Sequence, residues 1–230
     1  MARANLPVAL RILARLISYP DAALRADLPD LRAALASEKA FTTARRKELD
    51  ALAARLAAGD AIEHEADYVR TFDQGRSTSL HLFEHVHGDS RERGPAMIDL
   101  CKTYESAGLL LAPDELPDYL PVVLEFASTL APVPARDFLG EIAHLVNALF
   151  NALEQRHSPY ASVMGALLEL SGETAHAVSI EPDEAPDASW AEPPAFDGCA
   201  SRGQGKPDAV MPIHFAGAVK SAPVAKGVAR

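Results

Sequence analysis

The residues best placed to do chemistry in this 230-residue chain lie in HLFEHVHGDSRERG, residues 81–94. His81 and His85 are four apart, so on a helix they would share one face and could bite one metal ion. Glu84 could then act as general base on a metal-bound water, as in zinc peptidases of the inverted type. That reading, a metal-dependent hydrolase built on His81-x-x-Glu84-His85, lacks a marked third ligand. Gly88-Asp89-Ser90 also ends the helix one turn later. The alternative is structural. His85 and His87 would bond backbone near a helix C-terminus, where the partial negative charge suits them. Asp89 or Ser90 would cap the next helix, with Glu92 as capping-box partner, or that helix would start regularly only at Pro95. Residues 89–94 then form an exposed, charged connection, the usual setting for recognition.

A second stretch, Glu115-Leu-Pro-Asp-Tyr-Leu-Pro121, sets two prolines four apart beside two acids. It reads as a rigid helix entry capped by Asp114 or Glu115 with Pro117 in the first turn. It also reads as an acidic anchor for a basic peptide.

The elements that must position these residues are helical. Leu6, Leu10, Leu13 and Ile17 recur at steps of three and four, as do Leu24, Leu28, Leu31 and Leu35. Further helices are expected over 42–58, 61–72, 79–87, 91–107, 116–130, 134–155 and 158–171. No run alternates convincingly with period two. The fold class is therefore all-α, a single-domain bundle of about eight or nine helices over residues 1–172. Residues 173–230 hold seven Pro and five Gly with little periodicity, and read as a largely irregular, flexible C-terminal tail. In the tail Trp190, Phe196 and Phe215 are the apolar exceptions, read as packing back onto the domain.

Charge narrows the partners. The formal net charge is −10, of which the helical part keeps −7. Nucleic acid is excluded as a partner because its affinity comes from Lys and Arg on phosphates, whereas an acidic surface attracts basic peptides. Cys101 and Cys199 form no C-x-x-C pair, which fits a reduced, cytoplasmic setting. The N-terminal apolar residues are interrupted by Arg11 and Arg15, and no apolar stretch is long enough to span a bilayer. No Gly-rich phosphate loop and no nucleophile elbow stands out.

Tyr68-Val-Arg-Thr-Phe-Asp73, Ser79 to Gly94, Ala96-Met97 and Glu115 to Pro121 together resemble the NarJ-type assembly chaperones of respiratory nitrate reductase. These belong to the all-helical redox-enzyme maturation chaperones (TorD/DmsD-like). The match is dense over 68–126 and weaker from the first helix to about 171; Trp190-Ala-Glu-Pro-Pro and Phe215 to Val219 are also similar. The resemblance implies a non-enzymatic, cytoplasmic chaperone with no permanently bound cofactor. Its implied partner is the apo catalytic α subunit of nitrate reductase, held through its N-terminal segment. It would assist insertion of the molybdenum bis-guanine-dinucleotide cofactor and delay docking on the membrane subunit, with the cofactor-insertion machinery as a further partner. Glu84, His85, His87, Asp89, Arg91 and Arg93 match the family's central motif, and Glu115, Pro117 and Asp118 its acid-and-proline motif. Two positions depart from it: His81 stands where relatives carry Leu or Tyr, and Tyr119 where many have His. The mechanism expected is a groove that holds the apolar face of the client segment, with Glu84, Asp89, Glu115 and Asp118 pairing with its basic residues. His85 and His87 would add pH sensitivity, and Tyr119 would line the groove.

Overall fold

Helix-strength periodicity becomes helices because each apolar stripe finds another to pack on. The structure, a computed structural model, describes residues 5–88, 90–113 and 115–178. It contains α1 (Leu6–Ile17), α2 (Ala22–Ser37), α3 (Thr43–Ala57), α4 (Ala61–Phe72), a 3-10 turn (Arg76–Thr78), α5 (Leu82–His87), α6 (Arg93–Ser106), α7 (Leu120–Thr129), α8 (Pro132–Gln155) and α9 (Ala161–Ser171). The described residues are all-α, as expected. Among the described residues the only β pairing is an isolated antiparallel bridge between His81 and Tyr119.

Helix α9 is the centre. Residues Ala161 to Leu170 are buried except Glu169, the pattern of a helix apolar on every side. α8 packs along it, α1 and α3 touch its other faces, and α7 lies on α1. Where α3 crosses α9, the Arg45 guanidinium lies over Gly165, so a β-carbon there would meet it at 2.5 Å. Arg45 is held by Glu169 at 3.0 Å and Glu48 at 2.6 Å. The starts of the helices follow local chemistry. Asp21 accepts from Leu24 N–H, Thr42 from Arg45 N–H and Asp60 from Ile62 N–H, each satisfying a donor that the helix cannot.

Several expected boundaries move. Residues 79–81 lie outside α5, because Leu80 and Leu82 are drawn into the bridge with residues 118–120. α7 begins at Leu120 instead of 116, so Pro121, not Pro117, sits in its first turn. α6 starts at Arg93, which puts Pro95 in the first turn, where a missing N–H costs nothing. Glu92 stands just before α6 instead of at its third position, where a capping-box partner would lie, and makes no side-chain cap bond; its N–H donates to Ser90 Oγ, and Asp89 lies outside the described residues, as does Asp114. After α9, Asn147 of α8 straps His176 by two bonds of 3.0 Å. The tail residues Trp190, Phe196, Cys199 and Phe215 lie outside the described residues.

Candidate functional site: an apolar groove and a polar cleft

The two sequence motifs meet through backbone. Leu82 N–H donates to the Asp118 carbonyl at 3.0 Å, and Leu120 N–H to the Leu80 carbonyl at 2.9 Å. This bridge joins the entry of α5 to the entry of α7. Asp118 secures it from inside. Its carboxylate is fully buried, accepts from Phe83 N–H at 3.1 Å, lies 3.4 Å from His81 Nδ1 and 3.8 Å from Arg93. A residue distant in sequence therefore caps α5, and the helix's own N-cap residue, His81, makes no side-chain cap bond. Asp118 was expected to anchor a basic peptide. Burial corrects that role: its oxygens serve this chain's own groups and present nothing to a partner.

Arg93 also reaches Glu84 at 3.4 Å, so both acids share one guanidinium. His81 and Tyr119, the two departures from the family motif, prove to be partners. Their rings lie 5.3 Å apart, and the Tyr119 hydroxyl bonds that of Tyr68 at 2.8 Å. Tyr68 in turn donates to the Ile17 carbonyl at the end of α1 and sits among Tyr19, Phe72 and Tyr160. Two polar groups, Arg93–Asp118–His81 and Tyr119–Tyr68–Ile17, are thus joined by the ring contact between His81 and Tyr119. Burial pushes the phenols of Tyr68 and Tyr119 up, so both stay neutral donors.

The metal reading fails on this geometry. His81 lies before α5, not within it, so the i, i+4 bite on one helical face is absent. Its Nδ1 faces Asp118, while His85 Nε2 bonds the Ser79 carbonyl at 2.8 Å. Among the described residues no group of three His, Cys, Asp or Glu could hold a metal ion. His87 packs its ring edge-on against Phe83, and Arg91 is exposed. Gly88 ends α5 at φ +52°, a conformation L side chains rarely adopt, and a β-carbon there would stand 3.2 Å from Arg76.

The charged motif residues do not share one groove. His81, Glu84 and Arg93 line a polar cleft of about 420 Å³ with Phe72, Asp73 and Arg76. Glu115 instead rims a second depression of about 460 Å³, between α1, α7 and the 109–115 segment. Tyr104, Leu109, Leu111, Val122 and Phe126 make its walls, and Arg11, Arg15 and Glu125 complete the charged rim. The Tyr104 hydroxyl donates to the Pro117 carbonyl at 2.8 Å, which fixes the Glu115–Asp118 turn above the groove. The apolar half of this site was missed in the sequence. Its signal was Leu109-Leu110-Leu111 in a segment assigned to no helix; Leu110 is 85% exposed.

His81 gives the junction a pH dependence. Its hydrogen bond to Asp118 raises its pKa above the usual 6.5, against the lowering effect of partial burial. A raised folded pKa means stability that is fully present below the ordinary value and is lost as pH rises through the folded one. The expected result is a unfolding free energy that declines above about pH 6.5, with this component absent in His81→Leu. Urea denaturation across pH 5–9 checks it, and equal slopes in both proteins would remove His81 as the source.

Among the described residues no helix is long and apolar enough to cross a membrane. The described residues form an all-helical scaffold with an open, charge-rimmed apolar groove. Residues 18–165 match the family described as nitrate reductase delta subunit, and the chain belongs to it. It is 37% identical over 224 residues to the nitrate reductase molybdenum cofactor assembly chaperone NarJ of Escherichia coli K12, covering 92% of this chain and 94% of that one. NarW of the same strain is 36% identical over 193 residues, 80% of each chain. The fold is shared with a crystal structure of a candidate redox enzyme maturation protein from Archaeoglobus fulgidus. That match has a TM-score of 0.56 at 19% identity and covers 75% of this chain and 98% of the other.

Proposed function

We propose that this chain is a cytoplasmic chaperone dedicated to nitrate reductase, which binds the N-terminal segment of the apo catalytic α subunit. By holding that segment it supports molybdenum cofactor insertion and delays docking on the membrane subunit. It performs no catalysis and keeps no cofactor of its own. The observation that carries the reading is the apolar groove under the Glu115–Asp118 turn, taken with the names borne by the relatives. An amphipathic segment would lay its apolar face on Leu109, Leu110, Val122 and Phe126. Its basic residues would face Glu115 and Glu125, and its acidic ones Arg11 and Arg15.

Of the expected partner-binding residues, Glu115 contacts the client directly in this reading. Pro117, Asp118 and Tyr119 shape the turn that bears it. Glu84 and Arg93 flank the separate polar cleft, while His85 and His87 brace α5.

Titration calorimetry of the full chain with a synthetic peptide of the α subunit's N-terminus tests the proposal. Saturable one-to-one binding is expected. Glu115→Gln should weaken it a few-fold, and more so at low salt than at high, because the contact is a rim charge. No binding at any salt concentration would end the reading.

A further inference from the structure

The polar cleft and the apolar groove share one element. Arg93, in the first turn of α6, lines the cleft, and Tyr104, in its last turn, lines the groove. The two residues stand about 16 Å apart along the helix axis. Both nevertheless reach the same turn. The Tyr104 hydroxyl donates to the Pro117 carbonyl at 2.8 Å. The Arg93 guanidinium lies 3.8 Å from the Asp118 carboxylate and 3.4 Å from that of Glu84. The turn is a firm support: Pro117 and Asp118 are buried, and the Asp118 carbonyl accepts from Leu82 N–H.

Little else holds α6. Tyr104 is its one buried residue, and the larger hydrophobic cluster among the described residues takes no side chain from residues 93–111. Leu100 and Tyr104 instead join Val122 and Phe126 in a smaller cluster, where the Tyr104 and Phe126 rings lie 4.6 Å apart. A helix that buries so little apolar surface opens at a lower cost than the core does. The segment beyond α6 is fastened to it. Leu109 N–H returns to the Tyr104 carbonyl at 3.0 Å and Gly108 N–H to the Glu105 carbonyl at 2.9 Å, with Gly108 at φ +81°. This is a Schellman ending, and Leu109 completes it by packing in the cluster that holds Tyr104.

We propose that residues 93–111 move as one wall of the groove, held shut by Arg93 at the cleft end and by the Tyr104 hydroxyl at the groove end. The cleft is thereby coupled to the groove. Whatever draws Arg93 away from Asp118 and Glu84 loosens the wall, and a segment seated against Tyr104 and Leu109 favours the arrangement in which Arg93 is back in place. Arg93 is then a positioning residue for the groove, setting its width from a different depression. The coupling to a client rests on the function proposed above; the movement of the wall does not.

Hydrogen exchange of the full chain tests the movement without any client. The α6 amides should exchange far faster than those of α9, through an opening smaller than global unfolding. Tyr104→Phe keeps the ring and removes one hydrogen bond, so it should speed α6 exchange roughly fivefold. Arg93→Gln removes a partly exposed ion pair and should speed it roughly two- to threefold. In both variants the acceleration should run from the first turn of α6 to Leu109. Acceleration confined to the first turn in Arg93→Gln and to the last in Tyr104→Phe would mean separately fraying ends and would overturn the proposal. So would α6 amides that exchange only as slowly as those of α9. Calorimetry with the α subunit peptide tests the coupling. Arg93→Gln should weaken binding roughly threefold, Arg93→Lys less, and the losses in Arg93→Gln and Tyr104→Phe should combine non-additively in the double variant. Additive losses would mark a direct contact between Arg93 and the peptide, and these or an unchanged Kd in Arg93→Gln would remove the coupling. A wild-type chain that does not bind the peptide would count against the proposed function, while the exchange pattern would still decide whether the wall moves.

Discussion

Replacing Asp118 by alanine is expected to lower the unfolding free energy by about 3 kcal/mol. The carboxylate is fully buried and meets the Phe83 amide, the His81 ring and the Arg93 guanidinium together. Its loss leaves the first turn of α5 without its cap, His81 without its carboxylate and Arg93 with Glu84 alone. His81 and Arg93 are partly exposed, with side chains at 32% and 27%, so water recovers part of their solvation. Most of the cost therefore falls on the orphaned amide and the vacated volume. Asp118→Asn keeps the shape and one acceptor, and should cost about half as much. Urea midpoints for the three proteins give the comparison, and the alanine variant should also lose the pH dependence assigned to His81. Unchanged stability in Asp118→Ala would show that the carboxylate does not hold the α5–α7 junction.

The second large effect is expected on client affinity. Leu110 is 85% exposed on the lip of the groove and supports nothing beneath it, so Leu110→Asp should leave Tm within a degree or two. If the client segment buries that side chain, its loss removes about 1.5–3 kcal/mol of binding, or a roughly ten- to hundredfold weaker Kd. The aspartate adds repulsion only toward acidic neighbours on the client. Calorimetry with the α subunit peptide measures this against Val86→Asp, which alters an equally apolar exposed residue on α5 outside both depressions. Equal losses in the two variants would point to general surface stickiness and away from a specific groove.

The helices were legible in the sequence because their signal is local. A leucine every three or four residues states both a period and a face, as in α1. The entry to α7 was not, because Pro117 and Pro121 are equally good first-turn residues and the choice between them is made at a distance. Residues 80–82 pair with 118–120, and that pairing keeps Pro117 and Asp118 out of the helix. The same pairing hid the role of Asp118. An acid between two prolines looks exposed in one dimension, and only the fold puts Phe83 N–H in front of it. Similarly, His81 and Tyr119 are 38 positions apart, and nothing in their local sequence states that one ring will lie on the other. The groove is hidden in the sequence for the opposite reason: its leucines, Leu109 to Leu111, sit in a segment with no period to state a face.

The two walls of the groove are tethered unequally. Val122 and Phe126 belong to α7, which is packed along α1, whereas Tyr104 is the one buried residue of α6. Amide protons of α6 should consequently exchange with solvent through openings smaller than global unfolding. A ligand seated there would draw a loosely held helix into order, and some of its contact energy would be absorbed in doing so. Such an arrangement gives a broad, adaptable fit with moderate grip and ready release. Under the proposed function, weak retention on one side of the cradle would let the client leave once its maturation is complete.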